Sequence, residues 1–385
     1  MLLGKERSYK LTPIQELLLA LLRAQLWLKP VDDIKLPTTL DDWNALMDLA
    51  YKQTVVCFVS AACLRHKDVD NVPEEIREEM QAVIEENKKI HEYHNEVLVE
   101  LITFFEGHGL HPVLLKGQGL AQMYPQPELR QCGDIDLYFQ PDEYEKAKEF
   151  IVSIEDRFEK RHKEDYKHYE SQYKDITVEI HRRVVKIPNP FANKRFLEYT
   201  DESMKHLLKY EIAGCMINIF GALYNITYVF IHMWNHFEGF GVSLRQLCDV
   251  VMIRRYFQDN VSDEEIQSVL SKMSFSLPWR ICRCCFIDQL GLDICENSVE
   301  VSEYGVEVTK MLSIILSDGA FNSGKHKREY EMMPKWKRRL FVHINAHNEF
   351  MKVYPVTGNR IFWRYAAFKR NIIYRGLVYL SNFFS

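Results

Sequence analysis

The feature that most constrains this fold is a run of alternating polar and apolar residues at 134–139. Asp134, Asp136 and a tyrosine alternate there with isoleucine, leucine and phenylalanine. Successive side chains of a β-strand point to opposite faces, so both carboxylates share one face and the apolar side chains share the other. The run therefore predicts a strand with one buried face and two carboxylates side by side.

A short apolar run at residues 112–116 comes just before it and predicts a buried strand. Lys116 ends this run and is followed by Gly117, Gln118 and Gly119. Glycine allows the backbone to turn tightly from a strand into a helix. We therefore expect Lys116 and the backbone N–H groups of the next three residues to bind phosphate oxygens where that helix begins.

A β-hairpin is predicted over residues 168–181, with Lys174 and Asp175 as its turn. In the returning strand Glu179 and His181 stand two residues apart and therefore share one face. Glu179 would add a third carboxylate to the aspartate pair. Three carboxylates offer the oxygen ligands that Mg²⁺ or Mn²⁺ prefers and allow two ions to share a ligand, an arrangement suited to phosphoryl or nucleotidyl transfer.

Two further polar residues near this cleft have open roles at the level of the sequence. His181 either orients a substrate or a carboxylate, or it is a hydrogen-bonded structural histidine. Arg130 either binds phosphate, or it pairs with Asp134 or Asp136 and so holds the loop before the strand.

The rest of the chain predicts helices. Residues 1–110 show helical periodicity and include a long charged helix at about 73–107, and helices resume after a proline-containing loop at 187–190 and continue to the end. The predicted fold class is α+β, with a small mixed β-sheet core at 111–215 between an N-terminal helical region and a C-terminal helical region at 216–385 that ends in a basic tail.

One predicted helix, at residues 224–255, carries two pairs of polar residues four positions apart. Arg245 and Asp249 are most simply an ion pair on one helical face. His232 and His236 have the spacing of a transition-metal site, but no third ligand is evident nearby. We therefore interpret the two histidines as a polar helix face packed towards the cleft.

Charge is distributed unevenly along the chain. From Lys325 to Ser385 there are thirteen Lys or Arg and three Asp or Glu, a balance of +10, so residues 1–324 carry −15 of a net charge of −5. This tail either contacts a membrane surface or an anionic polymer, or it forms a helical region that neutralises the acidic body or faces nucleotide phosphates. We favour the second interpretation. Separately, no dedicated nucleic-acid module is visible in the sequence.

Two absences point to the cytoplasm. No apolar run is long enough to span a membrane, and the first residues lack the pattern of a signal peptide. The nine cysteines are odd in number and scattered, which is typical of reduced thiols rather than of a disulfide framework.

The order of these motifs resembles a known family, the bacterial nucleotidyltransferase-like family of the polymerase-beta-type superfamily. The resemblance is carried by Lys116-Gly117, Tyr124-Pro125, Arg130, Gly133-Asp134-Ile135-Asp136-Leu137, Val178-Glu179-Ile180-His181, His232, His236, Arg245 and Asp249. It implies a small mixed sheet flanked by helices. It also implies Asp134 and Asp136 as metal ligands and Glu179 as a third carboxylate that binds the metal near the acceptor hydroxyl and helps to deprotonate it.

The resemblance implies a Mg²⁺- or Mn²⁺-dependent transfer of a nucleoside monophosphate from an NTP to an acceptor hydroxyl or phosphate, with a sugar or a lipid-linked group as the suggested acceptor. The expected nucleotide-binding residues are Lys116, Gly117, Gln118, Gly119, Arg130 and His181. The wider superfamily begins its phosphate-binding helix with a Gly-Ser pair, whereas this chain has Gly117-Gln118. The alternative is therefore a catalytically inactive member of the same fold that binds a nucleotide or a partner protein.

Overall fold

The protein folds around a mixed β-sheet with helices before and after it in the chain. The computed structural model describes residues 10–154, 163–239, 241–293 and 304–318. Its strands are β1 (Val113–Leu114), β2 (Asp134–Tyr138), β3 (Lys163–Glu164), β4 (His168–Tyr173), β5 (Ile176–His181), β6 (Leu208–Ile212) and β7 (Cys215–Ile219). They form one seven-stranded sheet in the order β3-β4-β5-β2-β1-β7-β6. The fold class is α+β, as the sequence predicts.

Helices make up most of the remaining described chain. They are α1 (Pro13–Leu26), α2 (Leu40–Lys52), α3 (Val56–Leu64), α4 (Glu74–Gly107), α5 (Gln118–Ala121), α6 (Pro141–Ile154), α7 (Pro190–Ser203), α8 (Ala222–Gly239), α9 (Leu244–Tyr256), α10 (Asp263–Lys272), α11 (Ser276–Asp288) and α12 (Gly305–Asp318). The predicted long helix is confirmed as α4. Local signals explain several helix starts, since Thr12, Ser243 and Ser262 each form a capping box with the residue three positions later.

The centre of the sheet is mixed, with parallel and antiparallel neighbours. β2 pairs with β5 in parallel, and Asp136 lies opposite Glu179. β1 pairs with β2 in the antiparallel direction and with β7 in parallel. Because side chains alternate along each strand, this register puts the polar residues of β2 and β5 on one face of the sheet and Ile135, Val178 and other apolar residues on the other. Both of those apolar side chains are fully or almost fully buried.

The long helix α4 packs against the apolar side of this arrangement. Phe105 near its C-terminal end contacts Phe139, which follows β2, with ring centroids 5.0 Å apart. Edge-to-face contacts of this kind add to the free energy of burying the two rings. Helix α4 therefore supports the strand that carries the aspartate pair.

The expectation that helices continue without interruption after the loop at 187–190 is wrong. β6 and β7 form a hairpin whose turn, Ala213-Gly214, has positive φ at both residues, 48° and 77°. Two-residue turns of this kind match the twist of paired strands. β7 then pairs with β1 through Val113 and Asn218, so the hairpin completes one side of the sheet and lies across the predicted core limit at residue 215.

The basic tail at 325–385, with its predicted membrane or polymer contact, lies outside the described residues. Within the part of the chain that the structure describes, no helix combines the length and the apolar character needed to cross a membrane.

Candidate metal and nucleotide site

Three carboxylates converge on the polar face of β2 and β5. Asp134, Asp136 and Glu179 each place an oxygen within 4.8 Å of the oxygens of the other two. Asp136 is fully buried, and its Oδ2 atom has no hydrogen-bond partner among the described residues. A buried polar atom without a partner costs free energy, and carboxylate oxygens are the ligands of hard divalent cations. The orphan oxygen and the donor set therefore fit a cation such as Mg²⁺ or Mn²⁺.

Lys116 lies beside this cluster because β1 is the neighbour of β2 and Lys116 comes two residues after β1 ends. Its Nζ atom is 3.0 Å from Asp136 Oδ1, and its side chain is mostly buried. Burial by itself lowers the pKa of a lysine, but the charges of Asp136, Asp134 and Glu179 outweigh burial and raise the pKa of Lys116. The ammonium therefore stays charged.

His181 links two of the carboxylates. Its Nε2 atom is 2.8 Å from Asp136 Oδ1 and 2.9 Å from Glu179 Oε2, and its side chain is fully buried. Burial lowers the pKa of a histidine, but the hydrogen bonds to Asp136 and Glu179 outweigh burial and raise the pKa of His181. The pKa values of Asp136 and Glu179 are lowered although burial acts in the opposite direction, because Lys116 and His181 respectively favour their charged forms. His181 thus orients both carboxylates.

The hairpin of β4 and β5 adds a residue that sequence reasoning did not nominate. His168 lies directly opposite His181 in the ladder, and its Nδ1 atom is 3.4 Å from Glu179 Oε2. Burial lowers the pKa of His168 to about 4, although the charge of Glu179 acts against it. Its neighbour Lys167 places Nζ 3.8 Å from the same oxygen. The predicted turn already carried the signal, since a two-residue turn at 174–175 puts residue 168 opposite residue 181.

The histidines of α8 face the cleft, as the sequence predicts. His232 Nε2 is 3.5 Å from Lys116 Nζ, and the rings of His232 and His236 lie 4.6 Å apart. Burial, reinforced by the charge of Lys116, lowers the pKa of both histidines, and that of His236 falls to about 4. Two neutral imidazoles therefore line the cleft beside the lysine ammonium.

Comparison with known proteins places this chain in a family. The model of a family described as uncharacterised nucleotidyltransferases matches residues 39–286, which is more than half of the chain. The chain belongs to this family. The match includes all three carboxylates, Lys116 and both histidines of α8.

Two further comparisons add little. The crystal structure of an antigenic nucleotidyltransferase-like protein from Paracoccidioides brasiliensis is similar at 10% identity and covers 52% of this chain and 93% of that chain, with a TM-score of 0.31. A TM-score of this size is too low to establish a shared fold. No curated protein matches the chain.

In this nucleotidyltransferase-family chain the glycine turn after β1 is structurally demanding. Gly117 has φ 55° and ψ −119°, a region that L-residues avoid. A Cβ atom at Gly117 would lie 3.1 Å from the carbonyl oxygen of Asp134, and one at Gly119 would lie 3.2 Å from the Leu114 side chain. The turn therefore brings the backbone close to the strand that carries the aspartates.

The Gln118 side chain does not face the carboxylates. It is buried and donates hydrogen bonds from Nε2 to the carbonyl oxygen of His91, at 3.0 Å, and to Asn95 Oδ1, at 2.7 Å, both on α4. Helix α5, which begins at Gln118, has only four residues and so aligns few peptide dipoles. The expected nucleotide-binding role of Gln118 therefore remains a proposal for its backbone N–H alone.

One of the two expectations for Arg130 was an ion pair with Asp134 or Asp136. That expectation is wrong. Arg130 Nε donates to Asp249 Oδ1 at 2.7 Å and its Nη2 donates to Oδ2 at 2.9 Å, and the guanidinium is buried. Tyr124 Oη donates to the same Oδ1 at 2.7 Å. Arg130 thus holds the loop before β2 against α9, and its donors are engaged by Asp249 and by Cys132 Sγ, which accepts from Nη1 at 2.9 Å.

The single helix predicted at 224–255 is wrong, since two helices, α8 and α9, lie there; the predicted ion pair within α9 is present but secondary. Arg245 Nη1 is 3.8 Å from Asp249 Oδ2, farther than either contact that Arg130 makes. Burial acts to raise the pKa of Asp249, but the charge of Arg130 outweighs it and the pKa is lowered. Asp249 is therefore a buried carboxylate whose main partner lies on a distant part of the chain.

Proposed function

We propose that this chain is a divalent-cation-dependent nucleotidyltransferase that moves a nucleoside monophosphate from an NTP to a hydroxyl or phosphate of an acceptor. The observation that carries the proposal is the convergence of Asp134, Asp136 and Glu179, with oxygens within 4.8 Å of one another. Membership of a nucleotidyltransferase family supports it. The finer placement in the polymerase-beta-type superfamily is part of the same proposal.

The three carboxylates would hold the cation, Mg²⁺ or Mn²⁺. When bound, such an ion supplies charge neutralisation for the phosphates and lowers the pKa of an attacking hydroxyl. The low pKa of Glu179 keeps that carboxylate ionised at neutral pH. A general base works best with a pKa near the working pH, so Glu179 is better suited to be a ligand than to accept the acceptor's proton.

The cationic side of the cleft would hold the nucleotide. Lys116 keeps its charge and lies against Asp136, where it can bind a phosphate oxygen. His232 and His236 are neutral and offer N–H groups beside it. The backbone N–H groups of Gly117 and Gln118 are proposed as further donors, whereas the N–H of Gly119 already donates to the carbonyl oxygen of Lys116 at 3.1 Å. Since Arg130 is committed to Asp249, it is left out of the nucleotide-binding set.

The direct test is transfer of label from an NTP that carries a labelled α-phosphate, together with pyrophosphate release. We expect release that requires Mg²⁺ or Mn²⁺ and that falls at least about 100-fold in Asp134→Asn, because a metal ligand is lost. Asp48→Asn on the exposed surface of α2 is the matched control and should behave as the wild type. Equal pyrophosphate release by wild type and Asp134→Asn would refute the proposal.

A second candidate is a member of the fold that binds a nucleotide or partner without turnover. Two observations favour it: the Lys116 ammonium already neutralises Asp136, and Gln118 stands where the superfamily has serine and points to α4. This candidate predicts nucleotide binding with no pyrophosphate release across a panel of sugar, lipid-linked and protein acceptors. Release with any acceptor would exclude it.

A further inference from the structure

A second set of possible metal ligands lies next to the three carboxylates. His168, Glu179 and His181 each place a ligand atom within 4.8 Å of those of the other two. Glu179 belongs to both sets, while His168 and His181 face each other across β4 and β5 with ring centroids 5.0 Å apart. The hairpin register therefore builds a cluster of two imidazoles and one carboxylate.

Two of the three distances between ligand atoms in this cluster are compatible with ligands around one ion. Glu179 Oε2 is 3.4 Å from His168 Nδ1 and 2.9 Å from His181 Nε2. With metal–ligand bonds of about 2.0 to 2.2 Å, neighbouring ligands are separated by about 2.9 Å in octahedral and about 3.4 Å in tetrahedral sites. The cluster would need little rearrangement to close around an ion.

His168 has a buried ring nitrogen without a hydrogen-bond partner, which is an independent indication of a bound ligand. It is 7% exposed, and its Nδ1 atom makes no hydrogen bond within the described part of the chain. A buried imidazole nitrogen without a partner costs free energy that a bound ion would recover. This nitrogen lies 3.4 Å from Oε2 of Glu179, the residue that the two ligand sets share.

The orientation of His181 is also that of a ligand. Its Nδ1 atom is 3.3 Å from the carbonyl oxygen of Arg183. A metal-bound histidine usually donates its other N–H to a carbonyl or carboxylate, which fixes the tautomer that leaves Nε2 available. In His181, Nε2 lies 2.9 Å from Glu179 Oε2 and 2.8 Å from Asp136 Oδ1, and an ion bound there would displace the proton that Nε2 shares with these carboxylates.

We propose that His168, Glu179 and His181 form a second cation site that takes a divalent transition metal such as Zn²⁺, Fe²⁺ or Mn²⁺. Imidazole nitrogen suits these ions, whereas Mg²⁺ prefers oxygen ligands alone. The site shares Glu179 with the proposed catalytic cation, so it deepens the proposed function, but metal binding here requires no nucleotide. The pair would thus combine an oxygen-only site and a nitrogen-rich site bridged by Glu179.

The test uses the full-length protein, stripped with a chelator, and Co²⁺ as the probe. We expect Co²⁺ to bind without nucleotide and to give the absorption of a nitrogen-ligated ion. His168→Gln should weaken Co²⁺ binding at least tenfold, since loss even of an outer partner of a metal ligand costs about 10- to 100-fold. His236→Gln is the control, because it also removes an imidazole at the cleft but not one of the three ligands. Unchanged Co²⁺ affinity in His168→Gln would overturn the proposal.

A measurement on the wild type covers the case in which His168→Gln does not fold. X-ray absorption at the Zn K-edge detects imidazole scattering, and we expect two imidazoles per bound ion. A spectrum with oxygen ligands alone would refute the site.

The two proposals also fail differently. If Co²⁺ binds with imidazole ligands but no NTP binds, the nucleotidyltransferase proposal is refuted and the proposal of this metal site stands. If label transfer depends on Mg²⁺ but Co²⁺ binding does not depend on His168, the metal-site proposal is refuted and the nucleotidyltransferase proposal stands.

Discussion

The ammonium of Lys116 and the imidazole of His181 both contact Asp136 Oδ1, at 3.0 and 2.8 Å. The ammonium is charged, and both groups occupy an oxygen of a carboxylate that is also proposed to bind a cation. A divalent ion and Lys116 therefore compete for Asp136 unless a phosphate draws the lysine away. Binding of nucleotide and of cation should for this reason favour each other.

This competition predicts opposite effects of one substitution. Lys116→Met should strengthen binding of Mn²⁺ alone, because the competing charge is gone, and should weaken Mn²⁺-dependent NTP binding about 10- to 100-fold, the value of a charged hydrogen bond. Calorimetric titration measures both affinities. Lys89→Met, on the exposed side of α4, is the control. If Lys116→Met weakens both affinities equally, Lys116 is not exchanged between carboxylate and phosphate.

Because the pKa of His236 is lowered to about 4, we expect the free energy of unfolding to depend on pH in the acidic range. The unfolded chain binds a proton at this histidine below about pH 6.5, whereas the folded chain does not until about pH 4. Stability should therefore fall as pH drops from 6.5 to 4, by up to about 3 kcal/mol from this residue. His236→Gln should flatten the pH dependence of denaturant unfolding in that window. His206→Gln, at an exposed position, is the control and should keep the wild-type pH dependence of unfolding. If His236→Gln also keeps the wild-type pH dependence, His236 is not buried as a neutral group.

Some of the site was predictable at the scale of single residues. Alternation in 134–139 and in the hairpin placed Asp134, Asp136 and Glu179 on common faces, because the side-chain period of a strand is fixed. The partner of Arg130 was not predictable in this way, because Asp249 lies 119 positions along the chain. Such a pairing depends on how helices pack and leaves no local pattern.

The pairing of Arg130 with Asp249 joins two elements, the loop before β2 and helix α9. Removing one partner leaves a buried charge without compensation, which costs about 3 to 5 kcal/mol, while replacing both often costs less. We expect Arg130→Met and Asp249→Leu each to destabilise by that amount and the double variant by clearly less than the sum. Urea unfolding of all four proteins measures this cycle. Strict additivity would show that the two residues do not act as a pair.

The contrast between two hairpins shows which elements a sequence reveals. The hairpin of β4 and β5 was predicted because its returning strand alternates β-branched and polar residues. The hairpin of β6 and β7 was missed, since β6 is an edge strand with exposed Lys209 and Glu211 and a weak apolar pattern. The available signal was Gly214 within a two-residue gap between short alternating runs.

The whole molecule is held together partly by one buried side chain. Gln53, at the end of α2, donates from Nε2 to the carbonyl oxygen of Ile315 in α12 at 2.8 Å and accepts at Oε1 from the N–H of Leu244 in α9 at 3.0 Å. Gln53 is 0% exposed. It thus connects the N-terminal helices with helices that follow the sheet.

Gln53→Leu should therefore destabilise the whole chain. Two buried backbone groups lose their partners, at about 1 to 3 kcal/mol each. We expect thermal unfolding to stay a single transition at a lower midpoint. The exposed Gln81→Leu on α4 serves as the control. An early separate transition of the N-terminal helices would contradict the account of Gln53 as a connection within one cooperative unit.

The central claim is that the three carboxylates hold a cation that the nucleotide requires. Calorimetric titration of NTPs into wild type and Asp136→Asn, each with and without Mg²⁺ or Mn²⁺, tests it most directly. The account predicts NTP binding to wild type only with the cation, and binding at least about 100-fold weaker in Asp136→Asn, because the buried ligand oxygen next to Glu179 is lost. NTP binding that is independent of the cation, or equal in the two proteins, would contradict it.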